Sequence, residues 1–262
     1  MIRFQTCAWS FLAIVIACVS LSAQAKDDRQ GYLAPEAVDI LKILPPAPVK
    51  GEARYEADRA IFKATRRFVG TPRWQLATND VQLSAPAMMR DFSCALGVSL
   101  TPDSAPQVTH LIETANNDTR HAAGIAKDHF ARQRPFQIDE GETCQPAIEL
   151  AKSFDYPSGH TTQGWTWAAL LAELAPDQAS AILERGRAFG ESRIVCGVHN
   201  ASAVESGRLT AASILTVVQS VPAFQADFAA AKAELDALRA DSTTPRPQNC
   251  ASEAELLAIP VF

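Results

Sequence analysis

An all-α fold, a single-domain helical bundle around one core, is what this sequence predicts, on three observations. Eight separate stretches place apolar side chains at helical intervals among polar ones, and Gly, Pro or Asn pairs separate most of them. No stretch of useful length alternates apolar and polar with the period of two that a half-buried strand needs. Apolar residues make up 47% of the 262 positions and charged residues 20%, an ordinary globular composition with enough hydrophobic surface for one sizeable core. No internal repeat is visible.

Residues 1–25 read as a secretory signal peptide. A basic start at Arg3, the apolar run of residues 8–17 and the small-x-small pattern Ala23-Gln24-Ala25 are its three parts. The run is shorter than the roughly 20 residues of a spanning helix. Val15-Ile16-Ala17-Cys18 offers the alternative of a lipid anchor on Cys18. Residues 26–51, with Pro45, Pro46 and Pro48, suit an extended arm.

The helical domain is expected over residues 52–240. Its helices are expected at Glu52–Phe68, Asp80–Leu96, Ser104–Asn116, Asp118–Gln133, Gln163–Leu174, Gln178–Phe189, Val204–Val218 and Ala223–Ala240. The breaks fall at Gly97, Pro102, Pro106, Asn116-Asn117, Pro176, Gly190 and Pro222. Residues 241–262, with Thr244-Pro245-Arg246-Pro247, read as an irregular tail that Cys250 can tie down.

The net charge of −5 lacks the basic face a nucleic-acid polymer requires, so an anionic ligand has to be held by a local pocket. Beyond the signal, Cys94, Cys144, Cys196 and Cys250 form an even set, which in an oxidising compartment reads as two disulfides with three connectivities open. None of the cysteine spacings matches a zinc pattern. His110, His121, His129, His160 and His199 contain no His-x-x-x-His pair, so no metal and no cofactor are expected.

Three segments concentrate reactive side chains where a packed bundle does not need them. Lys127 and Arg134-Pro135 lie seven positions apart, two turns on one helix face, where two cations can converge on one anion. Pro157-Ser158-Gly159-His160 precedes a helix, so Ser158 and Gly159 present a hydroxyl and backbone amides where the helix dipole favours an anion, with His160 at the rim. Ser192-Arg193 and His199 add a bidentate donor and a second imidazole able to act as nucleophile or base. The Gly-x-Ser-x-Gly pattern of many serine hydrolases is absent.

In this order, Lys-x6-Arg-Pro, Pro-Ser-Gly-His and Ser-Arg-x5-His resemble the three-part signature of the bacterial class A non-specific acid phosphatases. These belong to the superfamily of type 2 phosphatidic acid phosphatases and vanadium haloperoxidases. The segments Asp91-Phe92-Ser93-Cys94-Ala95-Leu96-Gly97, Thr143-Cys144, Ser153-Phe154-Asp155-Tyr156 and Pro222-Ala223-Phe224-Gln225 extend the resemblance over roughly residues 52–239.

The resemblance implies the helical fold of that superfamily and a periplasmic or secreted, metal-independent phosphomonoesterase of broad specificity. Lys127, Arg134, Ser158, Gly159 and Arg193 would bind the phosphoryl oxygens. His199 would form a phosphohistidine, and His160 would protonate the leaving alcohol and then activate water. The implied partners are small-molecule phosphate esters, with no nucleic-acid polymer and no membrane span, and room for a homo-oligomer.

One departure stands out. The family carries an Asp four residues after its third-motif histidine, and Ala203 occupies that position. Glu205 points elsewhere on a helix, so Asn200 or a backbone carbonyl is the expected orienter of the His199 ring. Alternatives with the same anion site are a pyrophosphate or nucleotide phosphohydrolase, a phosphate-binding protein weakened by Ala203, and, more remotely, a haloperoxidase.

Overall fold

The computed structural model describes Met1 and residues 30–262; the expected signal peptide and the Cys18 alternative fall outside the described residues. Among these, the chain forms α1 (Ile40–Ile43), α2 (Ala53–Thr65), α3 (Pro72–Asn79), α4 (Ala85–Leu96), α5 (Pro106–Phe130), α6 (Ala147–Leu150), α7 (Gly159–Leu174), α8 (Ala179–Val195), α9 (Ala201–Val218), α10 (Pro222–Ala240) and α11 (Cys250–Leu257). No strand occurs among the described residues. The fold is all-α, as the periodicity requires.

Helix α7 is the hub. It packs on α5, α8 and α9, and Trp167, Leu170, Leu171 and Leu174 along it are buried in the main core with Met88, Phe92, Leu111, Ile112, Phe189 and Ile214. A second cluster, with Phe68, Ile194, Val198, Val204 and Val261, lies beneath the third motif. Two glycines let helices reach the start of α7. A Cβ on Gly190 would lie 2.9 Å from the Thr161 methyl, and one on Gly207 would lie 2.7 Å from the Ser158 carbonyl oxygen.

Several expected boundaries are corrected. The two helices expected on either side of Asn116-Asn117 are one, α5, with Asn116 buried; burial against α7, α9 and α10 overrides the weak local preference of an Asn pair. Gly190 does not end α8, which runs on to Val195, because its missing side chain serves packing. Residues 80–84 are not helical. A separate α3 precedes them, with Thr71 Oγ1 accepting from Trp74 N at 3.3 Å and Pro72 in the first turn, a cap-and-proline start that the sequence does contain. The arm is not wholly peripheral, since Ile40 and Leu44 are buried in the main core. The tail carries α11.

The disulfides pair Cys94 with Cys250 and Cys144 with Cys196. The first anchors the tail to α4. The second holds the loop before α6 against the end of α8, where Cys144 N also donates to Cys196 O at 3.0 Å. Among the described residues no single helix is long and apolar enough to cross a membrane.

Candidate active site

The three motifs meet at the N-terminus of α7. Ser158 caps that helix: its Oγ accepts from Thr161 N at 3.3 Å and lies 3.0 Å from Thr161 Oγ1, and its carbonyl accepts from Thr162 N at 2.9 Å. The amides of Gly159 and His160 are then the forward donors of the helix, at its positive end. Gly159 adjoins Lys127, whose Cε would lie 3.6 Å from a Cβ at that position.

Lys127 and Arg134 do converge here, but not as two turns of one helix. Helix α5 ends at Phe130, Ala131 adopts a left-handed conformation with φ 45°, and Arg134 comes from the segment beyond. Lys127 Nζ donates to Phe154 O at 2.5 Å. Arg134 donates from Nε to Ser153 O at 2.7 Å, from NH2 to Ser153 Oγ at 3.0 Å, and from NH1 to Val198 O at 2.7 Å. Burial, and after it the Arg134 charge, lower the Lys127 pKa to about 7.

Arg193 is fully buried near the end of α8. One donor goes to Gln145 Oε1 at 2.9 Å, whereas Nε and NH1 have no protein partner. Burial and then the nearby Arg134 lower its pKa to about 9, so it stays a cation in acid and neutral solution. A buried guanidinium with two unspent donors is costly unless an anion completes it. The preceding Ser192 donates to Asp80 Oδ2 at 2.6 Å and accepts from Arg73 NH1 at 3.0 Å, and Arg185 pairs with Asp80 at 2.6 Å. This buried network fixes the α8 segment that carries Arg193.

The two imidazoles have defined tautomers. Arg134 NH1 lies 3.1 Å from His199 Nε2, and a guanidinium only donates, so Nε2 offers its lone pair. Nδ1 lies 3.0 Å from Asp155 Oδ1 and therefore carries the proton. His160 Nε2 is 3.1 Å from Val81 O, an acceptor only, which leaves Nδ1 as the nitrogen free to exchange a proton. Burial holds both rings well below the usual imidazole pKa. The next cause for His199 is Arg134, then Lys127 and Arg193; for His160 it is Arg193.

The ring of His199 is oriented by Asp155, not by Asn200. Asn200 instead holds the carboxylate: its side-chain amide donates to Asp155 Oδ2 at 2.9 Å and its backbone N–H to Oδ1 at 3.1 Å. Asn200 is buried, which is unfavourable for the glycosylation that Asn200-x-Ser202 would suggest. Ala203 is fully buried and its carbonyl accepts from Ser158 N at 2.9 Å. Glu205 is exposed.

Sequence reasoning missed Asp155, although it stands in the Ser153-Phe154-Asp155-Tyr156 run just before the second motif. A carboxylate between two aromatic residues was the available signal, since buried acids are rare unless paired. Its partner lies 44 positions away, beyond any local spacing rule.

This constellation has a family. The model of the PAP2 superfamily matches residues 117–226, a span containing all three motifs. An acid phosphatase of Zymomonas mobilis is 37% identical over 217 residues, covering 82% of each chain. A non-specific acid phosphatase of Salmonella typhimurium is 32% identical over 230 residues, 86% of this chain and 90% of that one. Another, from Providencia stuartii, is 34% identical over 207 residues, 78% and 84% of the two chains. The chain belongs to the PAP2 superfamily. Within it, it belongs with the acid phosphatases, which are hydrolases.

Proposed function

We propose that the protein is an exported, metal-independent acid phosphatase that hydrolyses small phosphate monoesters through a phosphohistidine at His199. The observation that carries this most directly is the buried Arg193 with two unspent donors, together with a His199 ring whose Asp155-bound Nδ1 leaves the lone pair on Nε2, where Arg134 NH1 meets it.

The substrate phosphoryl group enters against the Gly159 and His160 amides, with Arg193, Lys127 and the Ser158 hydroxyl on its non-bridging oxygens. Arg134 NH1, now on His199 Nε2, transfers its hydrogen bond to a phosphoryl oxygen as that nitrogen attacks. The N–P bond forms as the bond to the leaving oxygen breaks, and His160, which takes up a proton at Nδ1 from acid solution as the phosphoryl anion binds and offsets the surrounding cations, gives that oxygen the proton. His160 Nδ1 then takes a proton from water, whose oxygen attacks phosphorus in line, and the N–P bond breaks to release phosphate. The cation cluster meets the charge spread over the transferring group. Asp155 stays ionised and supports the cationic His199 without itself accepting its proton, the role of a buried carboxylate beside a catalytic histidine.

Apart from the His160 proton given to the leaving oxygen, the assigned donors grip the phosphoryl group and none reads the rest of the alcohol, which supports broad specificity. Asp155 supplies the carboxylate whose absence at position 203 would favour a mere phosphate-binding role. The two disulfides support export to an oxidising compartment.

Phosphate release by the purified mature protein is the test, using a panel of monoesters, inorganic pyrophosphate and nucleotides with and without chelator. Turnover of several monoesters, unchanged by chelator, is expected. Turnover of anhydrides alone would move the assignment to a pyrophosphohydrolase, and tight phosphate binding without turnover would leave a binding protein.

A further inference from the structure

Behind the His199–Asp155 pair lies a second layer of buried charge. Arg132, on the segment between α5 and Arg134, reaches Asp155 Oδ2 with NH1 at 3.4 Å and Asp58 Oδ2 of α2 with NH2 at 2.9 Å. NH1 also donates to Ser202 Oγ at 2.8 Å. Asp58 in turn accepts from the Ser202 backbone at 2.9 Å and from its hydroxyl at 2.5 Å, in the first turn of α9. The backbone closes the same circuit, since Asp155 N donates to Arg132 O at 2.9 Å. Arg132, Asp58 and Asp155 are all buried.

We propose that Arg132, clamped by Asp58 and Ser202, is a positioning residue that keeps Asp155 ionised and aimed at the His199 ring. This rests on the phosphohistidine chemistry set out above and adds a residue none of the three motifs contains.

The physical case is a competition. A fully buried carboxylate is driven to take a proton, and burial does raise the Asp155 pKa; Arg132 is the foremost influence opposing that rise, ahead of the Asn200 hydrogen bonds and Lys127. The charged groups facing Asp155 are therefore Arg132, Lys127 and Arg134 from the end of α5 and the segment after it, and His199 from the segment leading into α9. Asp58 faces it only across Arg132. A protonated Asp155 cannot support a cationic ring. Arg132 contacts Asp155 on the oxygen opposite the one His199 uses, so it acts through the carboxylate and not on the phosphoryl group.

The test compares Arg132→Gln, Arg132→Lys and Asp58→Asn, with folding checked by thermal denaturation. For Arg132→Gln, kcat should fall about 10- to 100-fold, a loss of about 1.4–2.7 kcal/mol in transition-state stabilisation. The acid limb of kcat should move about one unit to higher pH, because Asp155 now protonates more readily. KM and inhibition by inorganic phosphate should stay within about threefold. Arg132→Lys should recover part of both effects. Asp58→Asn keeps an acceptor for the Ser202 backbone N–H, loses the one facing the Ser202 hydroxyl and Arg132 NH2, and removes the charge competing for Arg132, so its acid limb should move the opposite way, to lower pH.

General damage to the fold predicts no such opposite displacement. Unchanged limbs in Arg132→Gln and Asp58→Asn, or limbs moving in the same direction, would overturn the proposal, as would a loss confined to KM. If the parent protein releases no phosphate at all, the phosphatase reading fails by itself. The clamp is then read from the NMR titration of the His199 Nδ1 proton, whose midpoint on the acid side should rise in Arg132→Gln and fall in Asp58→Asn; identical midpoints would overturn it.

Discussion

Replacing Asp155 by Asn preserves shape and removes charge at the one carboxylate that touches His199. The Asp155 Oδ1 to Nδ1 distance is 3.0 Å, which puts the centres of charge about 4 Å apart once the ring is cationic. At an effective dielectric of about 20, unit charges at that separation attract by about 4 kcal/mol, or about three orders of magnitude in rate. The amide oxygen can still accept the Nδ1 proton, so part of the orientation survives, and kcat should fall between about 10²- and 10³-fold. KM should hardly move, because Asp155 makes no contact with the phosphoryl donors. Steady-state hydrolysis of 4-nitrophenyl phosphate near the pH optimum measures both. A kcat within about threefold of the parent, or a loss entirely in KM, would refute the reasoning. Asn200→Ala removes only the amide that steadies Asp155 Oδ2, since the backbone bond to Oδ1 remains, and should cost no more than about tenfold.

Further outcomes follow from the same geometry. The depressed Lys127 pKa of about 7 means the ligand-free site loses this cation as pH rises, so a bound anion must draw a proton in. Inhibition by inorganic phosphate should therefore weaken about tenfold per unit between about pH 8 and 9, and Lys127→Met should flatten that slope; an equally steep slope in Lys127→Met would assign the proton elsewhere. Removing the Cys94–Cys250 disulfide, which spans 156 positions, should cost about 2–5 kcal/mol of stability by denaturant titration with turnover little changed in the folded fraction. Removing Cys144–Cys196 should also lower turnover, because Gln145 beside it holds Arg193; equal turnover would detach that loop from the site. Gly207→Ala forces a Cβ within 2.7 Å of Ser158 O and should destabilise by about 1–3 kcal/mol while lowering kcat. A variant with parent stability would mean that α9 shifts freely.

The parts of the molecule legible in the sequence are those governed by local rules. The amphipathic repeats of α2, α4, α9 and α10 are readable from periodicity, and Lys127, Arg134, Ser158, His160, Arg193 and His199 stand out as candidates by reactive residue types that a bundle core does not call for. What escaped depended on tertiary contact. Asn116-Asn117 looked like a break because its burial in the middle of α5 is decided by α7, α9 and α10. Their spacing of seven puts Lys127 and Arg134 in register on one helix, whereas the turn at Ala131 brings them together. Asp155, Arg132 and Asp58 form a single buried chain, but Asp155 lies 44 positions from His199 and Arg132 lies 74 from Asp58; only folding reveals that the His199 ring meets a carboxylate from before the second motif and not the expected Asn200 amide or a carbonyl.

The most direct test of His199 as nucleophile is a rapid alkaline quench of His160→Ala with a phosphorus-labelled aryl phosphate, followed by peptide mapping kept at alkaline pH. An aryl leaving group needs little help from an acid, so this variant should form the phosphoenzyme and, without the base for water, accumulate it. A label on His199 that is acid-labile and base-stable is the expected result, with none in His199→Ala. A label on another residue, or an equally labelled His199→Ala, would contradict it.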